Sequence, residues 1–304
     1  MTVFEAIVLG FIQGAAEFLP VSSSGHLKIA QTLFGLEEVP ILFDIFLHLA
    51  TLGAVVLYFR KKIWKLLKIF AGLFTRKPVS DEPLSEDILT GSETAGRKTI
   101  LALIITTLVT GVIGVFTSKV VPDLSAKFVC GGFIITALLL IISQLTEKNP
   151  RKEKFLQRFR SVDENEAVSD SESNDVSNKK TKTVTVFQAI VVGIMQGFGT
   201  LPGISRSGST IAGALYSGMD RNAAGEFSFL ASIFAILGAF VLELKDIGEV
   251  SSNIGAAPVI AGCASAFAVG YISLTLLMKT IRKGKLAWFA AYLIPVGVLG
   301  IIFF

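Results

Sequence analysis

The sequence predicts an all-α integral membrane protein, with six transmembrane helices and two re-entrant helical hairpins in an inverted-topology repeat. Hydrophobic residues make up 52% of the 304 residues and charged residues only 17%, whereas soluble domains carry about a quarter charged residues. Residues 2–14 (TVFEAIVLGFIQG) recur as residues 185–197 (TVFQAIVVGIMQG), with nine of thirteen positions identical. Each copy then runs into a polar cluster of Pro, Ser and Gly inside apolar sequence. Two related halves, each with such a break, are typical of membrane proteins with a site at the repeat interface.

Six apolar stretches are long enough, or nearly so, to cross the hydrocarbon core, which takes roughly 20 helical residues. They are residues 40–59, 99–117, 124–145, 227–244, 254–278 and 286–304.

The repeated segments have a different pattern. Residues 3–19 and 186–201 are apolar but end in a polar break, and the pieces that follow, 22–34 and 205–216, are too short to span. We therefore predict hairpins that enter and leave the bilayer on one side. Because irregular backbone is tolerated at membrane depth only beside protein or water, the two breaks are predicted to line a cavity.

Loop charges give an independent prediction of topology. One hairpin plus three crossings per half inverts the second half relative to the first. The loops after the first, third and fifth crossings are rich in Lys and Arg, and the two between them are poor. The positive-inside rule then places both termini outside, in a multi-pass protein of the plasma (cell) membrane. The first hairpin is predicted to enter from outside and the second from the cytoplasm.

The chain divides into three parts. Residues 1–147 form the first repeat and residues 184–304 the second, each with a re-entrant hairpin and three transmembrane helices. Between them, residues 148–183 form a predicted cytoplasmic, disordered linker, because 161–178 is rich in Ser, Asn and acidic residues and has no Lys or Arg. Cys130 and Cys263 lie in apolar stretches without the spacing of a disulfide or metal pair.

The two breaks carry the chemistry. In each, serines stand where a short helix begins, and the unpaired N–H groups and dipole of such a start favour anions. Arg206 adds a guanidinium that can grip phosphate oxygens in bidentate fashion. Glu17 and His26 add a carboxylate and a proton carrier. Together these residues predict a phosphate or pyrophosphate cradle with hydrolytic chemistry.

Structural alternatives exist for each of these residues. The serines could be helix caps, His26 a hydrogen-bonded core residue, and Glu17 with Arg206 a structural ion pair. Ionisable residues at membrane depth are costly and usually functional, so the cluster favours a site. Asp44 and His48 share a helix face at i, i+4, and both structural support and a direct role remain open for them.

Three stretches resemble the signature segments of the undecaprenyl-pyrophosphate phosphatase family, also known as the bacitracin-resistance family. They are QGAAEFLPVSSSGHL (13–27), FDIFLHLAT (43–51) and LPGISRSGSTI (201–211). The resemblance covers essentially the whole chain. It implies an enzyme that converts a polyprenyl (undecaprenyl-type) pyrophosphate to the monophosphate and so recycles the lipid carrier of cell-envelope synthesis.

The resemblance implies two sets of site residues. The catalytic set is Glu17, Ser23, His26 and Arg206. The substrate-binding set is Gln13, Ser22, Ser24, Gly25, Ser205, Ser207, Gly208 and Thr210. Because the first acidic motif position is Gln13 here, Glu17 is the only carboxylate of its pair.

The mechanistic hypothesis has two levels. Arg206, the serines and the hairpin N–H groups hold the diphosphate. Ser23 attacks the terminal phosphate with His26 as general base and then acid, while Glu17 orients His26 or holds a Mg²⁺ or Ca²⁺ ion. Direct attack by a water that Glu17 and His26 organise is the competing mechanism.

The expected partners are the polyprenyl pyrophosphate and membrane lipids, with no nucleic acid, and a homodimer remains open. The rival function is a polyprenyl-phosphate flippase, because inverted repeats with broken helices are typical of alternating access. A weaker third hypothesis is an ion or drug exporter that uses Asp44 and His48.

Overall fold

A computed structural model describes residues 1–36, 41–74, 87–120, 125–147, 183–243 and 255–304. Within these ranges every regular element is an α-helix, so the all-helical prediction is confirmed. The predicted linker lies outside the described residues except for its last position. The helices are α1 (Val3–Phe18), α2 (Ser23–Leu33), α3 (Ile41–Phe74), α4 (Glu93–Val120), α5 (Ala126–Glu147), α6 (Val186–Phe198), α7 (Arg206–Tyr216), α8 (Arg221–Glu243), α9 (Ala256–Arg282) and α10 (Trp288–Phe303).

Five of these helices, α3, α4, α5, α8 and α9, are long and apolar enough to cross a membrane. The helix at the sixth predicted crossing, α10, has 16 residues. At 1.5 Å per residue it rises about 24 Å, less than the ~30 Å of hydrocarbon. The described residues therefore contain five candidate spans instead of six.

Helix α3 is longer than the sequence predicted. The predicted crossing ends at residue 59, where a run of Lys and Arg begins, but the helix continues to Phe74. The basic stretch stays helical because its apolar face still packs, with Leu66 buried in the core. Lys62 on this extension forms ion pairs with Asp87, at 2.7 Å, and with Glu226.

The repeated segments form the two helices α1 and α6, and each begins with the same capping box. Thr2 and Glu5 cap α1 reciprocally, and Thr185 and Gln188 do the same for α6. Helix α1 packs along α9, and α6 packs along α4, so each is held by the other half of the chain. A Cβ on Gly10 would overlap the Gly262 carbonyl, so small residues permit the close contact between α1 and α9.

Both short helices, α2 and α7, pack against α5. A Cβ on Gly25 would overlap the Phe133 ring, and one on Gly208 would lie 3.1 Å from both Pro20 and Thr136. These two glycines, predicted as substrate contacts, are therefore positions of close packing. Because Pro20 belongs to the first break and Gly208 follows the second, the two breaks meet.

Gly203 in the second break is expected to contribute strongly to the stability of the fold. Its φ is +86°, and a Cβ there would overlap the carbonyl of Val129 on α5. Gly203→Ala should lower the free energy of unfolding by about 3 kcal/mol, seen as a reduced melting temperature of the purified protein in detergent. The control is Gly131→Ala on α5, where a Cβ would meet no atom within 4 Å. A Gly203→Ala variant that melts with the wild type would contradict this account.

Candidate active site

The carboxylate of Glu17 is the centre of the site. Glu17 lies in the last turn of α1 and is buried. Its Oε1 accepts a hydrogen bond from the Arg206 guanidinium at 2.5 Å, and its Oε2 accepts from Ser23 Oγ at 2.7 Å. Gln13, one turn earlier on α1, donates to the same Oε2 at 3.1 Å. Three predicted catalytic residues, from both breaks, are thus brought into direct contact.

Ser23 and Arg206 occupy equivalent places in the two halves. Each is the first residue of its short helix, and the sequence offset between them is the same as that between Thr2 and Thr185. The fold therefore directs one hydroxyl and one guanidinium at a shared carboxylate. The two copies differ in chemistry at the same structural position.

His26 is turned away from this cluster. Its Nδ1 lies 2.8 Å from the Ser22 carbonyl oxygen, and since a carbonyl only accepts, Nδ1 carries a proton. Its Nε2 lies 2.7 Å from the Tyr292 hydroxyl on α10, and the ring stacks on Phe133 with centroids 4.9 Å apart. Both ring nitrogens are therefore occupied, and the structure does not form the hypothesised hydrogen bonds from His26 to Ser23 or Glu17. Aromatic packing from α5 and α10 decides this orientation.

Ser22, which precedes α2, has a strained backbone. In the described ranges it is the one residue other than glycine with a positive φ, 71°, and its side chain makes no capping bond to α2. A positive φ is unfavourable for a residue with a Cβ and persists only where the surroundings hold it. The His26 bond to the Ser22 carbonyl is one such restraint. The serine-cap alternative therefore does not describe Ser22.

The other predicted substrate residues have mixed roles. Ser205 does cap α7, because its Oγ accepts from the Gly208 N–H at 3.1 Å. Thr210 Oγ1 donates back to the Arg206 carbonyl at 3.0 Å, and Ser207 Oγ lies 3.4 Å from the Leu19 carbonyl. Ser24 is exposed and lies beside Ser22, with their hydroxyls 3.5 Å apart.

Asp44 and His48, whose roles the sequence left open, have different hydrogen-bond partners. His48 Nδ1 lies 2.9 Å from Gln13 Nε2 and 3.5 Å from Glu17 Oε2, so His48 adjoins the central cluster. Asp44 instead accepts from the Gln31 amide on α2, at 3.2 and 3.3 Å. With its amide nitrogen engaged by Glu17 and His48, Gln13 leaves its buried Oε1 without a hydrogen-bond partner among the described residues.

A narrow pocket lies beside the Glu17–Arg206 pair. Its walls come from the end of α1, from α7 and from α8, and the sequence did not single out the α8 residues. The only signal available was a pair of serines, one turn apart, in an apolar helix. The lining residues are Glu17, Phe18, Arg206, Ser207, Thr210, Ser228, Phe229 and Ser232.

The side chains alone do not make a closed metal site. In the part of the chain that the structure describes, no three His, Cys, Asp or Glu side chains are placed to hold an ion. Glu17 is the one carboxylate of the cluster, and both of its oxygens already accept hydrogen bonds. Mg²⁺ is commonly bound by one or two carboxylates together with substrate phosphates. Glu17 and the unpaired Gln13 Oε1 fit that kind of shared site and no other.

A protein-family model described as "Bacitracin resistance protein BacA" matches residues 6–299. The chain belongs to the BacA family. The match includes both breaks and all the residues of the Glu17 cluster, so the resemblance inferred from the three signature stretches is confirmed. With its five candidate spans, this BacA-family chain is a multi-pass membrane protein.

Relatives match the BacA-family chain over nearly its full length. A protein of Treponema denticola named undecaprenyl-diphosphatase is 43% identical, over 98% of this chain and 96% of its own. One of Alkaliphilus metalliredigens with the same name is 37% identical, over 100% and 99%. A third with this name, from Methanobrevibacter smithii, is 34% identical over 98% and 96%.

Proposed function

We propose that this protein is an undecaprenyl-diphosphatase. It hydrolyses a polyprenyl pyrophosphate to the monophosphate and inorganic phosphate, and thereby returns the lipid carrier to cell-envelope glycan synthesis. The observation that carries this function is the contact of one buried carboxylate with both a serine hydroxyl and an arginine. These are a base, a nucleophile and a phosphate-binding cation at one point, on a chain whose relatives bear that name.

Arg206 is the principal anchor for the diphosphate. Of the five N–H donors of its guanidinium, one is bonded to Glu17 in the described structure, which leaves donors for phosphate oxygens. The backbone N–H groups at the start of α2 add to this, because the Ser22 side chain does not cap them.

Glu17 is the general base in the mechanism that fits these distances. It takes the Ser23 proton as Ser23 Oγ attacks the terminal phosphorus, and the bond from that phosphorus to the bridging oxygen breaks. The polyprenyl monophosphate leaves, and a water then hydrolyses the phosphoserine to release inorganic phosphate and restore the serine. This revises the hypothesis that His26 accepts the proton. His26 instead positions Ser23, because it holds the Ser22 carbonyl next to it.

The proposal includes a divalent cation, Mg²⁺ or Ca²⁺, bound by the protein and the substrate together. Glu17 and Gln13 Oε1 would hold it together with diphosphate oxygens. When bound, it would neutralise charge on the phosphoryl group.

The proposed architecture is the inverted-topology repeat, with α1–α2 and α6–α7 as re-entrant hairpins and α10 as the sixth crossing. The packing of α1 on α9 and of α6 on α4 supports it, because these pairs hold equivalent places in the two halves. The proposed divisions are residues 1–147, 148–183 and 184–304. The alternation of loop charge supports a plasma-membrane location with both termini outside and a cytoplasmic linker.

The deciding experiment measures phosphate release from a polyprenyl pyrophosphate by the purified protein in detergent, with and without a chelator. We expect one inorganic phosphate and one polyprenyl monophosphate per substrate, and a lower rate with the chelator. No release under either condition, together with transfer of the lipid across vesicles, would favour the flippase.

A further inference from the structure

Two buried serines in the helices, Ser228 on α8 and Ser209 on α7, have a hydroxyl without a hydrogen-bond partner among the described residues. Of the two, Ser228 lines the pocket beside Glu17 and Arg206. Ser228 is 2% exposed, and its Oγ has no hydrogen-bond partner in the described part of the chain. Some other buried or half-buried serines in these helices donate to the carbonyl three residues earlier, as Ser232 does to Phe229 at 2.8 Å and Ser143 does to Leu140 at 2.9 Å. An unsatisfied buried hydroxyl is destabilising, so its presence requires an explanation.

Ser228 lines the pocket that also borders Glu17 and Arg206. The other three hydroxyls of the lining are already engaged: Thr210 donates to the Arg206 carbonyl, Ser232 to the Phe229 carbonyl and Ser207 to the Leu19 carbonyl. Ser228 therefore lines the pocket beside Arg206, and its hydroxyl has no acceptor among the described residues.

The character of the pocket indicates which ligand would satisfy this donor. Arg206 contributes a cation, and Phe18 and Phe229 contribute apolar walls. In such surroundings a hydrogen bond to an anionic oxygen is strengthened. The Glu17 carboxylate is paired with Arg206, and Ser228 donates no hydrogen bond to it.

We propose that Ser228 is a substrate-binding residue, whose hydroxyl donates to a non-bridging oxygen of the diphosphate held by Arg206. This inference rests on the proposed function and deepens it. The site then has three walls, the two hairpins and helix α8, and α8 contributes to binding as well as to packing.

The test compares Ser228→Ala with Ser143→Ala, a matched change at a buried hydroxyl that donates to the Leu140 carbonyl within α5 and does not line this pocket. Ser228→Ala should lower kcat/KM for the lipid pyrophosphate about ten- to a hundred-fold, the effect of losing a hydrogen bond to a charged group. Ser143→Ala should stay within about two-fold of the wild type. The melting temperature of Ser228→Ala should equal or exceed that of the wild type, because no protein hydrogen bond is lost.

A second measurement separates this inference from the proposed function. Inorganic pyrophosphate should raise the melting temperature of the wild type and of Ser143→Ala, and raise it less for Ser228→Ala. If the wild type releases no phosphate from the lipid, the proposed function fails, and the pyrophosphate shift alone decides on Ser228. The inference would be overturned if Ser228→Ala kept the wild-type kcat/KM and the wild-type rise in melting temperature with pyrophosphate. It would also be overturned if Ser228→Ala without ligand melted below the wild type, because that would assign Ser228 a structural role. A wild type that neither releases phosphate nor responds to pyrophosphate would overturn it too.

Discussion

Glu17→Gln should lower the rate of phosphate release by about a thousand-fold, within the range that general-base catalysis contributes. Glutamine has nearly the shape of glutamate but cannot accept the Ser23 proton. It also removes the negative charge that orients the Arg206 guanidinium at 2.5 Å. The measurement is kcat for phosphate release at saturating lipid pyrophosphate.

The chain offers a matched control for this change. Glu5 is on the same helix and closes the capping box with Thr2, and in the second copy Gln188 does the same with Thr185. Glu5→Gln should therefore keep both the cap and the activity. A Glu17→Gln enzyme that retains more than about a tenth of the wild-type rate would exclude Glu17 as the base.

Ser23→Ala should abolish turnover, with a loss of about a thousand-fold or more, because among the described residues Ser23 bears the one hydroxyl that donates to Glu17. If water attacks directly, the same change costs only the hydrogen bond from Ser23 to Glu17, or about ten-fold. The two mechanisms are thus separated by about two orders of magnitude in kcat.

Two further readouts support the Ser23 comparison. Acid-quenched reactions with radiolabelled lipid pyrophosphate should carry the label on the peptide that contains Ser23 in the wild type and not in the variant. Ser143→Ala is the control, because that buried hydroxyl bonds only within α5. Near-normal activity of Ser23→Ala would show that the serine is not the nucleophile.

Much of the fold was predictable because its signals are local. The capping boxes, the apolar lengths and the two breaks lie within short windows of sequence, and the helices begin and end close to the predicted points. The exceptions have physical causes. Helix α3 runs past its basic residues because Leu66 stays packed and Lys62 finds Asp87 and Glu226, and the length of α10 falls below that of a usual span.

The candidate site was predictable in its residues but only partly in its contacts. Ionisable residues are rare in apolar segments, so Glu17, His26 and Arg206 could be identified from the sequence as candidates. Tyr292 and Ser228 could not, because a tyrosine or a serine in an apolar helix has no distinctive pattern around it. Each became visible through one distance or one unpaired atom.

Composition and short-range pattern were therefore enough to identify the class of protein, its two repeated segments and a set of candidate residues for phosphate binding. The contacts between these side chains depend on packing between segments that are distant in the chain. Ser23 donates to Glu17 and not to His26, because Phe133 and Tyr292, far away in the chain, hold the imidazole in the opposite direction. Arg206 reaches the same carboxylate because the two halves pack with their breaks together.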